Sequence, residues 1–167
     1  MTRTEESKRM SEGRIMSIHV APTGGAPMET IGSARAVAGR GLEGDRYYKK
    51  LGTYSSLPGS GRAVTLIESE ALEALQRDYG INIEAAQARR NIVTHAVALN
   101  HLVGREFTVG AIRLRGMRLC EPCAHVEKLA ASGILRGLIH RGGLRAEVLS
   151  SGMIQVGDRI AASAAML

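Results

Sequence analysis

Residues 105–118 set the tightest limit on what this chain can become. Two runs, Arg105–Val109 and Ile112–Arg118, alternate apolar and polar side chains on either side of Gly110-Ala111. A period of two turns one face of each run toward a core, and a two-residue turn containing glycine folds one run onto the other. The pattern recurs along the chain. Arg14–Val20, Ala34–Ala38, Ala63–Ile67, Ile92–His95, Leu144–Leu149 and Ile154–Ile160 also read as short strands bounded by glycine or polar turns. Gly104–Gly110 and Gly152–Gly157 resemble each other, and both read as corners where a strand meets a tight turn. Such a chain is expected to be mainly β (α+β): a β-barrel or folded-over sheet with a few short peripheral helices.

Helical patterns are few. In Glu68–Tyr79, Leu72, Leu75 and Tyr79 share one face, acidic residues occupy the first turn and Gly80 supplies the stop. Shorter patterns cover Ile83–Ala88 and Leu99–Val103, while Gly133–Arg141 fits neither period. From Tyr48 to Arg62 there is almost nothing to build a core, so this loop is a candidate lid over a site. A chain of 167 residues suits one domain, expected over 14–161 with tails at 1–13 and 162–167, the first of them disordered. No apolar run approaches the ~20 residues that cross a bilayer. Residues 1–13 lack the apolar segment of a signal peptide, and the two closely spaced cysteines suit a reducing compartment. A cytoplasmic protein without a membrane partner is expected.

With 22 basic against 16 acidic residues, the net charge of +6 points to an anionic partner. One Phe, no Trp and four Tyr leave little to stack on bases, which makes nucleic acid an unlikely partner and favours a small anionic ligand. The residues for it are grouped. Met117–Leu129 holds both cysteines, Cys120 and Cys123, with Pro122 between them. A strand pattern precedes this stretch and a helical one follows, with Val126, Leu129 and Ala130 on one face, so Cys123 should sit at a helix start. Unpaired N–H groups there favour an anion, and a thiol held there ionises more readily than a free one. Arg118 adds positive potential.

The Cys-x-x-Cys spacing alone allows three readings: half a zinc site completed by His125 and His140, a thioredoxin-like dithiol, or one working thiolate at Cys123. Gly44-Asp45-Arg46-Tyr47 offers a carboxylate and a guanidinium on a turn. Arg89-Arg90-Asn91 puts two cations and an amide before a strand, and His140-Arg141-Gly142-Gly143 adds another His and Arg. Together these residues suggest one anion pocket on loops between short strands.

Four of these motifs, in order, resemble the MOSC domain: Gly41-Leu-Glu-Gly-Asp-Arg46, Arg90-Asn-Ile-Val-Thr94, Leu102-Val-Gly-Arg-Glu-Phe-Thr-Val-Gly110 and Glu121-Pro-Cys-Ala124. That module closes the molybdenum-cofactor sulfurases and also occurs as small free-standing bacterial proteins. The likeness runs from about Arg14 to Ala161. It implies a barrel-like fold, molybdenum cofactor (molybdopterin) as ligand, and Cys123 as the residue that ligates molybdenum or carries sulfur. It places Arg46, Arg90 and Asn91 near the pterin phosphate or the metal, with Asp45 beside them; Arg118 and His140 complete the expected cofactor-binding set. It also brings a family-level association with pyridoxal phosphate, although this chain has no room for the pyridoxal-phosphate-dependent desulfurase of the larger sulfurases. The implied activity is reduction of N-hydroxylated small molecules with an electron-donor protein. The alternatives are a sulfur carrier holding a Cys123 persulfide, served by a sulfur donor, and a non-catalytic basic domain with a structural zinc.

Overall fold

Alternation decides which strands pair and which face turns inward. In β8 (Ile112–Leu119), Ile112 and Leu114 are buried while Arg113 and Arg115 are exposed. Its hairpin partner β7 (Glu106–Val109) buries Val109 and Phe107 directly opposite those two apolar residues. Gly110 in the turn has φ of 57°, which glycine adopts at no steric cost.

The computed structural model describes residues 2–5, 12–50, 52 and 61–162. Among these, eight strands form one sheet in the order β11 (Ile160–Ala162), β7, β8, β9 (Leu144–Val148), β5 (Val64–Glu68), β6 (Ile92–His95), β1 (Arg14–Val20), β2 (Glu29–Ile31). A smaller sheet has the order β10 (Gly152–Gln155), β3 (Ser33–Val37), β4 (Gly41–Leu42). The large sheet curls until the start of β1 meets the chain entering β11. Arg14 bridges Arg159, and the N–H groups of Ile15 and Ile160 donate to the carbonyls of Asp158 and Gly13. Ile18, Leu66, Leu114 and Leu144 of the large sheet share one core with Ala36 and Ile154 of the small one. This is the mainly β, barrel-like architecture that the strand pattern implies.

Among the described strands β5 and β6 are the one parallel pair, and they differ from the rest in sequence for that reason. Four successive residues of β5, from Val64 to Ile67, are buried. Helix α1 (Ser69–Tyr79) makes the crossover between the two strands. Together with α2 (Ala124–Leu129) and α3 (Ile134–Gly137) it covers their outer face, in a second cluster that includes Ile67, Leu75, Val93, Ile134 and Leu138. Gly80 ends α1 with φ of 65°, as expected of a stop.

Several sequence expectations shift. The buried face of α1 is Ala71, Ala74 and Leu75, whereas Tyr79 is exposed: small alanines let the helix lie close to the sheet, turning the aromatic residue out. Leu129 is likewise exposed, and Val126 carries the packing of α2. Ile154–Ile160 is two strands rather than one. Gly157, with φ of 92°, and the Asp158 carboxylate, which accepts the Gln155 N–H at 3.0 Å, turn the chain from the small sheet into the large one. Strand β2, short and largely exposed, carries no alternation that would announce it. Residues 51 and 53–60, most of the expected lid, lie outside the described residues, as do 1, 6–11 and 163–167 of the expected tails. No helix of the described chain is long and apolar enough to cross a membrane.

Candidate functional site

Three loops meet at one end of the β5–β6 pair. The first follows β4 and carries Asp45, Arg46 and Tyr47. Asp45 is fully buried; its Oδ1 accepts the Ala21 N–H and the Arg46 Nη1–H, each at 3.1 Å, and its Oδ2 accepts the Tyr47 N–H at 3.3 Å. The carboxylate thus fixes the turn and the guanidinium together. Arg46 also reaches the Met28 sulfur at 3.2 Å and lies over the Tyr47 ring.

The second loop precedes β6. Arg89 ends the 3₁₀ turn Ala85–Ala88 in the left-handed region, with φ of 58°, and donates through Nη1 to the Ala26 carbonyl at 2.6 Å. Successive residues of an extended chain point to opposite sides, and the left-handed residue breaks that alternation. Arg89 and Arg90 therefore both line the same pocket. Arg90 donates to three carbonyls: Gly142 at 2.8 Å, and Ala88 and Cys120 at 3.2 Å each. It ties the third loop to the second. Asn91 serves another purpose. Its Oδ1 accepts from the Thr65 N–H and hydroxyl, and its Nδ2 donates to the His19 carbonyl, so it straps β5, β6 and β1 together behind the pocket.

The third loop runs from the end of β8 into α2. Cys120 is buried, and its N–H donates to the Gly143 carbonyl at 2.7 Å. Cys123 occupies the position before the first residue of α2, as its place between a strand and a helical pattern implies, and it is partly exposed. The helix has only six residues, so its dipole adds little. Positive charge at this thiol comes from the arginines. Cys120, Cys123 and His125 face the same pocket as Arg46, Arg89 and Arg90, and Arg145 of β9 completes it. The space between them, part of it open to solvent, is about 450 Å³.

The charge there is not balanced. Arg46, Arg89 and Arg90 are 6%, 7% and 4% exposed, and Asp45 is the buried carboxylate among them. Glu121, at the edge, is turned toward His140, accepting its N–H at 3.1 Å. Burial first, then the Arg46 charge, holds the Arg89 guanidinium below its ordinary value. Burial, followed by Arg89, Arg46 and Lys128, lowers the His125 imidazole. Cations that depress one another inside a pocket are stabilised by an anionic ligand.

Asp45 lies directly behind this pocket and Arg118 beside it on β8, while His140 is exposed and faces a separate cleft with Glu68 and Arg141. Sequence reading passed over Arg145, which looks like any polar residue on a strand's outer face until the register is known. It named Arg89 within Arg89-Arg90-Asn91 but left it out of the cofactor-binding set, because a left-handed backbone leaves no mark in composition. Among the described residues no group of three or more His, Cys, Asp or Glu side chains could hold a metal ion by itself. Among the described residues no lysine lines the pocket to form a Schiff base, and the pyridoxal-phosphate association finds no support here.

The curled sheet belongs to a known class. The MOSC domain family matches residues 34–161, and the chain is a member of it. That family is associated with molybdenum-cofactor binding. Similar solved structures include the YUAD protein from Bacillus subtilis, with 16% identity and a TM-score of 0.75 over 89% of this chain and 93% of that one. YiiM from Geobacillus stearothermophilus has 15% identity and a TM-score of 0.67 over 90% of this chain and 75% of that one. YiiM from Escherichia coli has 17% identity and a TM-score of 0.61 over 90% and 70%. At such identities the likeness is one of fold. Among curated proteins none matches significantly.

Proposed function

We propose that the protein binds molybdenum cofactor in the arginine pocket, with the Cys123 thiolate as a ligand to the metal, and serves in an oxidoreductase system that reduces N-hydroxylated small molecules. One observation carries the reading: a partly exposed cysteine shares a pocket with three buried arginines, and the buried Asp45 carboxylate lies behind them. Molybdopterin is phosphorylated and anionic, and soft thiolate ligation suits its metal. The donor set fits. Arg46 and Arg89 would hold anionic oxygens, since each guanidinium keeps N–H groups beyond those it spends on Asp45 and the Ala26 carbonyl. Arg90, committed to three carbonyls, fixes the turn that presents Cys123.

When bound, the cofactor supplies two-electron chemistry of the kind that removes oxygen from an N–O bond. The protein's own part is to hold the ligand, orient it through fixed guanidinium groups and limit water at the thiolate. A donor protein would return the electrons, and the setting would be cytoplasmic, with neither membrane nor nucleic acid as partner. The test is expression in a host that overproduces the cofactor, followed by metal and oxidised-pterin analysis. Wild-type protein is expected to carry both in equal amounts, and Cys123→Ala to lose the metal while unfolding at the same temperature. A second reading, a sulfur carrier with a Cys123 persulfide, draws on Cys120, a second thiol lining the same pocket. Labile sulfane sulfur on protein without molybdenum would favour it.

A further inference from the structure

The outer face of β8 and β9 treats two neighbouring arginines in opposite ways. Arg115 stands between carboxylates: Glu106 faces it from β7, with a 3.0 Å ion pair, and Glu147 faces it from β9. The next residue of β8 on that face is Arg118, and the residue opposite it is Arg145. Like charges directly opposite across a strand pair are destabilising. The same two strands that supply counter-ions at one position supply none at the next.

A bulge produces this arrangement. The β8–β9 register shifts between Gly116 and Arg118, so Met117 is the extra residue. Without the shift, Met117 would stand opposite Arg145. The bulge returns Arg118 to the face shared with Arg115, one step nearer the pocket, and re-aiming a side chain is a recurrent use of bulges beside functional sites. Arg145 lines the pocket, and so does Thr65, its partner on β5, so the row Arg118–Arg145–Thr65 runs from solvent into the cavity. Among the described residues neither Arg118 nor Arg145 has a side-chain hydrogen bond or ion pair. Partial burial, then Arg145 and Arg62, holds the Arg118 guanidinium below its ordinary value.

We propose that Arg118 and Arg145 form a second anion-binding point at the rim of the pocket, and that the ligand of this site carries two linked phosphate groups, one held inside by Arg46 and Arg89 and one at the rim. Two adjacent guanidinium forks can share the terminal oxygens of one phosphate, each bidentately. The proposal rests on the pocket being an anion site and is independent of the metal. A diphosphate-bearing form of the cofactor would satisfy both.

The test uses the full chain without cofactor, titrated by calorimetry with orthophosphate and with pyrophosphate at matched ionic strength, and melted with and without each. Pyrophosphate is expected to bind at least about tenfold more tightly than orthophosphate, a difference of about 1.4 kcal/mol. In Arg118→Gln that preference should fall to less than about threefold, while orthophosphate affinity stays within about twofold. The ligand-free Arg118→Gln protein should melt no lower than wild type, because a like-charge contact is removed; fold loss cannot then explain lost binding. Equal affinity for the two anions, or an unchanged preference in Arg118→Gln, overturns the proposal. Either result leaves the molybdenum content of cofactor-loaded protein unaffected, so the two readings fail separately.

Discussion

Single residues at this site carry two kinds of load. Asp45 has no exposed surface and holds Ala21, Tyr47 and Arg46 together. Asp45→Ala would leave a buried guanidinium without its counter-ion, a loss of about 3–5 kcal/mol in unfolding free energy, read from the urea midpoint. Asp45→Asn keeps an acceptor and should lose less. His19 makes a pH prediction. It is buried on β1, with its ring nitrogens 2.8 Å from the Ser17 hydroxyl and 3.0 Å from that of Thr30. Burial lowers its folded-state value below the ordinary 6.5, so the unfolded chain takes up the proton first. Its contribution is complete above pH 6.5 and is lost as pH falls through 6.5 toward the folded value. Thermal melts across that window should show the decline, and His19→Gln should flatten it.

At the scale of elements, the site depends on how tightly the start of β9 passes beneath the cysteine turn. A Cβ at Gly142 would collide with the Cys120 carbonyl and stand 3.0 Å from the Pro122 ring. Gly142→Ala is therefore expected to displace the turn, costing about 1–3 kcal/mol of stability and weakening orthophosphate binding in the same preparation. Arg90→Lys cannot span three carbonyls and should reproduce both effects; unchanged anion affinity in either variant would show that the turn does not shape the pocket. These contacts explain what could be read from the chain. The hairpin at 105–118 and the stop at Gly80 are local, written in alternation and in a single glycine, and both stand as expected. The cysteine at a helix start was legible for the same reason. The roles of Arg90, Asn91 and Arg145 were not, because each is set by residues far along the chain: Gly142 and Cys120 for Arg90, His19 for Asn91, Arg118 for Arg145.

At the largest scale the described chain is a curled β scaffold in which the parallel pair β5–β6, covered by helices, ends at a cationic pocket. Arg46, Arg89, Arg90 and Arg145 line that pocket with Glu121 at its edge, and the Asp45 carboxylate lies behind it. Cys123 lies in that cavity, beside Arg46 and Arg90 rather than packed away from them. The most direct measurement is molybdenum X-ray absorption on protein purified from a host that overproduces the cofactor, comparing wild type with Cys123→Ser. The account predicts a sulfur shell in the wild type that contains one cysteine thiolate, and the loss of that one sulfur in the variant. Molybdenum whose sulfur shell is identical in the two proteins, or no molybdenum in either, would contradict it.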